Sequence, residues 1–223
     1  MKDTTIACIF DLDGVLVDTA VYHYQAWKKL ANSLGFDFSH EQNEQLKGVN
    51  RMRSLDKILD WGGVQKTEQE KEELATLKNT WYVDMISKMS ASEVLPGSLE
   101  LLEALHAKGI KIALGSASKN SGLILERTNL THFFDAIVDG NAVTTSKPDP
   151  EVFVKGAGLL QASAEDCIVF EDAAAGVEAA LASKMAVVAV GEEKNLPGAD
   201  IYVKDLAGVS VQQLIDLVVQ KNK

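Results

Sequence analysis

Cysteine is nearly absent: the 223 residues hold two, Cys8 and Cys167. Each sits inside an apolar run that reads as buried strand, so both are expected as small core residues in a reducing compartment, and nothing favours a disulfide between them. Excess positive charge is lacking too. With 22 Lys and Arg against 32 Asp and Glu, the net charge is −10, which argues against nucleic-acid backbones and anionic membrane surfaces as partners. An anionic substrate would therefore need a local positive field made by the site itself. No apolar stretch reaches membrane-spanning length, and the first apolar run is short and broken by Asp11, unlike a signal peptide. A cytoplasmic protein is expected. Neither an internal repeat nor a low-complexity segment is present. What remains is an ordinary globular composition, 46% hydrophobic and 24% charged. It suffices for one sizeable core, or a core with a small second domain.

The chain is organised around the stretch from Ile6 to Thr19. Five apolar residues, Ile6 to Phe10, read as a strand buried on both faces, as in a parallel sheet. The run ends in two carboxylates, Asp11 and Asp13, with one residue between them. Extended geometry through Asp13 puts both on one side of the sheet, and Gly14 permits a backbone turn. Two anions that close repel unless a cation lies between them or one carries a proton. A hard divalent metal such as Mg²⁺ meets the first condition, and a carboxylate of raised pKa serving as an acid meets the second. A plain exit turn is the competing reading. A calcium loop fails on spacing, because Val15 offers no ligand and Tyr22 stands where a bidentate Glu is required.

From about residue 17 to 91 the pattern is helical throughout, which predicts an inserted α-helical domain. Tyr24, Trp27, Ala31 and Leu34 follow helical spacing. Ser39 with Gln42 and Thr67 with Glu70 are capping boxes, and Asn50 is a cap for a helix carrying Met52, Leu55, Ile58 and Leu59. The helix after Thr67 is expected to run through the apolar positions Leu74, Leu77, Trp81 and Met85. Beyond Pro96-Gly97 strands and helices alternate. Leu99, Leu102 and Leu105 line a helix; Ile110–Leu114, Ala136–Val138, Cys167–Phe170 and Ala186–Val190 read as strands, with Ile201–Val203 at an edge. Alternation of this kind predicts a doubly wound parallel α/β sheet.

In open α/β sheets ligands bind beyond the carboxyl ends of the strands. Four polar groups follow strands here: Asp11 with Asp13, Ser116 to Asn120, Lys147 in Ser146-Lys147-Pro148, and Glu171-Asp172. Carboxylates for a metal, a hydroxyl with helix-start amides, and an ammonium are the parts a phosphoryl group needs. Singly, each has a bland alternative: Ser116 as an N-cap, Lys147 as a solvated loop residue, the acidic pair as partners of a helix dipole. Their joint placement at one sheet edge speaks against coincidence.

The stretch Ile9-Phe10-Asp11-Leu12-Asp13-Gly14-Val15-Leu16-Val17-Asp18-Thr19 closely resembles the first motif of the haloacid dehalogenase-like superfamily, whose members mostly transfer phosphoryl groups. The resemblance covers nearly the full length. It implies a Rossmann-like core of residues 1–16 and 92–223 with a helical cap of residues 17–91 inserted after the first motif, the four motifs standing as Asp11-Leu12-Asp13, Ser116, Lys147 and Glu171-Asp172. Asp18-Thr19 with His23 and Trp27, Leu46 to Arg51, Ser54 to Leu59, Lys78-Asn79, and Ser116-Ala117-Ser118-Lys119-Asn120 are similar to the sugar phosphomutases of that superfamily.

The resemblance implies Asp11 as the nucleophile that becomes an aspartyl phosphate, and Asp13 as general acid and base for the sugar hydroxyl. It places Mg²⁺ on Asp11, Asp172 and the Asp13 carbonyl, with help from Glu171. Ser116 and Lys147 would hold the transferring phosphoryl. In the cap Arg51, within Lys47-Gly48-Val49-Asn50-Arg51 and near Ser54, would grip a second phosphate, with Lys119 and Asn120, which follow the further binding residues Ala117 and Ser118, answering from the core. Thr19, His23 and Lys78 would couple cap closure to Asp13. The implied reaction interconverts β-glucose 1-phosphate and glucose 6-phosphate through a bisphosphate, in a monomer whose partners are small sugar phosphates; a sugar phosphatase on the same core is the alternative.

Overall fold

The computed structural model describes residues 6–222; residues 1–5 and 223, at the ends of the expected core ranges, lie outside the description. Six strands form one sheet: β1 (Ala7–Phe10), β2 (Lys111–Gly115), β3 (Ala136–Val138), β4 (Cys167–Glu171), β5 (Ala186–Val190) and β6 (Ile201–Val203). Their order is β3-β2-β1-β4-β5-β6, and every pairing is parallel. The chain thus leaves β1 toward one edge and later returns beside it toward the other. The topological switch point lies between β1 and β4, where such sheets place their ligands.

Alternation along each strand divides the side chains between two buried layers. Cys8, Phe10, Ile112, Leu114, Ile168, Phe170 and Val188 face one side, under α5 (Ser98–Ala107), α6 (Ser121–Arg127) and α9 (Val211–Lys221). Ile9, Ala113, Cys167, Val169 and Val187 face the other, under α7 (Glu151–Leu160) and α8 (Ala174–Ala182). Phe10 and Phe170 stack across β1 and β4 with ring centroids 4.2 Å apart. The two cysteines are free and buried on opposite faces, which is why no disulfide can join them.

Between β1 and α5 lie α1 (Ala20–Ser33), α2 (His40–Glu44), α3 (Arg51–Gly62) and α4 (Glu68–Ile86). They enclose a third apolar cluster around Trp27, Leu30, Phe38, Leu55 and Ile58. Both capping boxes form, and Asn50 caps α3 by accepting from the Arg53 amide. Gly63, in the left-handed region at φ 64, ends α3.

Two helix faces differ from expectation. On α4 Leu77 is 43% exposed, while Ala75, Lys78, Tyr82 and Ile86 are buried. Leu74, Trp81 and Met85 pack partly buried against the apolar clusters, so Leu77 is the one position of the four that faces solvent, and Lys78 beside it is buried. On α5 Leu99 is 40% exposed and Leu101 is buried with Leu102 and Leu105. Among the described residues no helix is long and apolar enough to cross a membrane.

Candidate active site

The main chain leaving β1 stays bound to the sheet for one more residue: the Asp11 amide donates to the Phe170 carbonyl at 3.0 Å. A tight turn follows, in which Asp13 bridges Val17 and the Gly14 amide donates to the Val17 carbonyl at 2.8 Å. Gly14 has φ 83, and a Cβ there would overlap the Asp172 carboxylate. Glycine is therefore required both by conformation and by the carboxylate packed against it.

Lys147 is buried beneath this turn, and its Nζ donates to Asp11 Oδ1 at 2.5 Å and to Glu171 Oε1. Burial alone would pull its pKa down, but the charges of Asp11 and Glu171 outweigh that and push it above the ordinary value. The ammonium is thus held charged. The other Glu171 oxygen accepts from the Ala173 amide at 2.9 Å. Each carboxylate oxygen keeps a further lone pair, so these bonds are compatible with the expected part of Glu171 beside Asp172 at a metal. A Cβ at position 176 would overlap this pinned carboxylate. Gly176→Ala is expected to lower stability by about 1–3 kcal/mol, the usual cost of overpacking. A denaturant titration checks it; an unchanged midpoint would mean that Glu171 is free to move.

Asp13 accepts a hydrogen bond from the Thr19 hydroxyl. Burial, and then the charge of Asp11, raise its pKa to about 6. Asp172 is raised to about 7 by burial, with Asp11 adding repulsion and Lys47, 3.3 Å away, opposing it. Asp11, Asp13, Glu171 and Asp172 thus face two lysines, an excess of negative oxygen that suits a hard divalent cation. Among the described residues no three acidic, His or Cys side chains close on a single point. Carboxylates from Asp11 and Asp172 with a main-chain carbonyl, leaving positions for water and phosphate oxygens, are what Mg²⁺ characteristically uses. The donor set fits.

Above the sheet edge a cavity of about 1290 Å³ opens between the core and α1–α4. Asp11, Asp13 and Asp172 line its floor, while Ala117, Ser118, Lys119 and Asn120 enter from the loop after β2. Ser116 and Lys147 are buried beside that floor, and Ser116 Oγ accepts from the Ser118 amide at 3.1 Å, which shapes the loop. From the helical side come Thr19, His23, Ser54 and the loop Lys47 to Arg51. Gly48, at φ 71, rests against Ala173, where a Cβ would be 3.2 Å from that residue's own Cβ. Ser54 Oγ donates to the Val49 carbonyl at 3.5 Å, and Asn50 Nδ2 donates to Ser146 Oγ at 3.1 Å.

Lys78 is buried between the rings of Trp27 and Tyr82, 4.4 and 4.5 Å from their centroids, with His23 Nδ1 3.1 Å away. Desolvation, with Arg51 nearby, holds its pKa down to about 7, and His23 is pushed well below its usual value by the same burial and by the Lys78 charge. Trp27 thus serves as a wall for Lys78.

Residues 8–190 match the haloacid dehalogenase-like hydrolase family. The chain belongs to that family. It is 41% identical over 210 residues to a β-phosphoglucomutase of Bacillus subtilis, covering 93% of each protein. A phosphorylated carbohydrates phosphatase of Thermotoga maritima is 32% identical, over 78% of this chain and 79% of that protein. The crystal structure of a β-phosphoglucomutase from Clostridium difficile superposes with a TM-score of 0.92 at 39% identity, covering 96% of this chain and 97% of the other.

Three residues of this haloacid dehalogenase-like site were given no role in the reading of the sequence, although Asn79 was among those that carry the resemblance and Ser146 stands beside Lys147. Asn79 accepts from both Arg51 and Asn120. Ser146 bonds Asn50 across the cleft. The Tyr82 hydroxyl is buried beside Thr19 and Asp13, and among the described residues no partner takes it in a well-formed bond. Tyr82 stands one helical turn after Lys78 and Asn79 directly after it, so the spacing was present, but only the buried lysine marks that face as functional.

Proposed function

We propose that the protein is a Mg²⁺-dependent β-phosphoglucomutase, a cytoplasmic monomer interconverting β-glucose 1-phosphate and glucose 6-phosphate. The observation that carries this reading is a guanidinium in the cavity that holds Asp11: Arg51 of the helical segment, which donates to the same Asn79 oxygen as Asn120 of the core. Cleaving a phosphate monoester requires one phosphate site, whereas a mutase must hold a phosphate at each end of the sugar. The two relatives named mutases, each near 40% identical over almost the whole chain, support it further.

In this reading residues 17–91 form a cap over a core of residues 1–16 and 92–223. Asp11 is the nucleophile: its free carboxylate oxygen attacks phosphorus, the sugar oxygen leaves, and an aspartyl phosphate results. Lys147 at 2.5 Å neutralises part of the repulsion between that carboxylate and the incoming dianion. Ser116 and the loop after it hold the equatorial oxygens, where the transition state spreads its charge. Asp13 gives a proton to the departing sugar oxygen and later takes one from the attacking hydroxyl; Thr19 fixes its orientation. Asp11, Asp172 and the Asp13 carbonyl would hold Mg²⁺, which when bound supplies further neutralisation at the transferring group. Contacts from Gly48 and Asn50 to the core close the cavity and keep water from the aspartyl phosphate until the sugar has turned end for end.

Arg51→Ala tests the choice. Loss of a partly buried charged grip on phosphate is expected to lower kcat/KM for β-glucose 1-phosphate by about 30-fold or more. Hydrolysis of acetyl phosphate, which has no distal phosphate, is expected to suffer much less. Equal loss of both, or of neither, replaces the mutase with a phosphatase.

A further inference from the structure

Asn79 holds an unusual position: its single side-chain oxygen is shared by donors from two sides of the cavity. Arg51 Nη2 donates to it at 2.7 Å and Asn120 Nδ2 at 3.0 Å. Arg51 has only donors, so the atom of Asn79 turned toward it must be the oxygen. Asn120 in turn presents its nitrogen to that oxygen, which fixes the orientation of both amides. The three residues come from three elements: Arg51 opens α3, Asn79 lies within α4, and Asn120 immediately precedes α6.

Arg51 is partly desolvated, which lowers its pKa, and among the described residues its side chain meets a neutral carbonyl and no carboxylate. A desolvated cation without a counter-charge is costly unless an anion is to arrive. Its guanidinium has five N–H groups and Asn120 has two on its amide nitrogen, so one bond each to Asn79 leaves donors free on both.

We propose that Asn79 is a positioning residue for a second phosphate site: its one oxygen sets Arg51 of the helical segment in register with Asn120 of the core, so that their remaining N–H groups converge on the distal phosphate of a sugar bisphosphate. This rests on the mutase reading given above. The arrangement also ties closure to recognition, because separating α4 from the loop before α6 breaks the Asn79–Asn120 bond and disperses the two donors. A distal phosphate is gripped only when the cavity is closed, which is when water is excluded from Asp11.

The test is direct binding of glucose 1,6-bisphosphate by calorimetry in an Asp11→Asn background, which cannot take up the phosphoryl group. Adding Asn79→Ala removes the shared acceptor, and Kd is expected to rise about tenfold, the scale of one hydrogen bond to a charged group. Adding Asn79→Asp keeps the acceptor and the bond to Arg51 but sets an anion beside the distal phosphate; Kd is expected to rise further than with Asn79→Ala. Asn79 acting only as a latch between α4 and the core would give the reverse order, with Asn79→Asp binding as tightly as the background. That order, or an unchanged Kd in both variants, overturns the proposal. The mutase reading is judged separately, by conversion of β-glucose 1-phosphate with Asp11 intact. Absence of conversion would overturn that reading, while the order of the Kd values still decides for or against Asn79.

Discussion

Asp11→Asn is expected to lose phosphoryl transfer and hydrolysis alike, by roughly 10⁴-fold or more, the range seen when a nucleophile is removed from a preorganised site. The side chains are nearly the same size, so the loss isolates chemistry from packing. An amide oxygen is a poor nucleophile, and an amide beside Lys147 no longer offsets the ammonium that is held there charged by Asp11 and Glu171. Lys147 would keep Glu171 as its remaining partner, so the buried ion pair survives and the fold is expected to persist. The readout is twofold. Turnover of β-glucose 1-phosphate and of acetyl phosphate is followed in one preparation, and mass spectrometry after brief exposure to acetyl phosphate looks for one added phosphoryl group, labile to hydroxylamine. The wild type is expected to carry it at Asp11 and the variant nowhere. Substantial turnover by the variant, or a phosphoryl group on another residue, would falsify the assignment of the nucleophile.

Legibility in the sequence followed chemistry more than geometry. The strand Ala7–Phe10 and its two carboxylates were readable because five apolar residues ending in Asp-x-Asp-Gly admit few structures. Capping boxes at Ser39 and Thr67 were readable because the backbone amides of a helix start demand such acceptors. Leu77 on α4 and Leu99 on α5 were misplaced because an apolar count treats both leucines as core residues. Lys78 is buried because aromatic rings surround it and a charged cavity lies beside it, neither of which spacing reveals. Glu171 and Asp172 were legible as an acidic pair ending a strand, whereas the bond of Glu171 to Lys147 was not, because the two are 24 positions apart. Asn79 and Ser146 acquire their roles only when the helical segment lies over the sheet edge, since their partners Asn120 and Asn50 are 41 and 96 positions away.

Asp13→Asn is expected to reduce turnover of β-glucose 1-phosphate by about 10²–10⁴-fold, the contribution of a positioned acid and base. Several features of the site point to proton transfer as this side chain's task. Its carboxyl faces the same cavity as Asp11, yet Lys147 is bonded to Asp11 and Glu171 and leaves Asp13 to Thr19 alone. Burial and the neighbouring charge of Asp11 raise its pKa to about 6, which brings it near the point where it can both give and take a proton at neutral pH. Lys78 and Tyr82, packed against His23, stand behind Thr19 and couple this orientation to the helical segment. Asparagine retains the size, the main-chain carbonyl and the bond to the Thr19 hydroxyl, but has no proton to exchange. Phosphorylation of Asp11 by acetyl phosphate, whose leaving group departs without protonation, is expected to be impaired far less than transfer from or to a sugar hydroxyl. Rapid-quench measurement of the two half-reactions separates them. Sugar turnover close to that of the wild type would show that the proton travels by another route, and comparable loss in both half-reactions would mean that Asp13 shapes the nucleophile's surroundings rather than moving a proton.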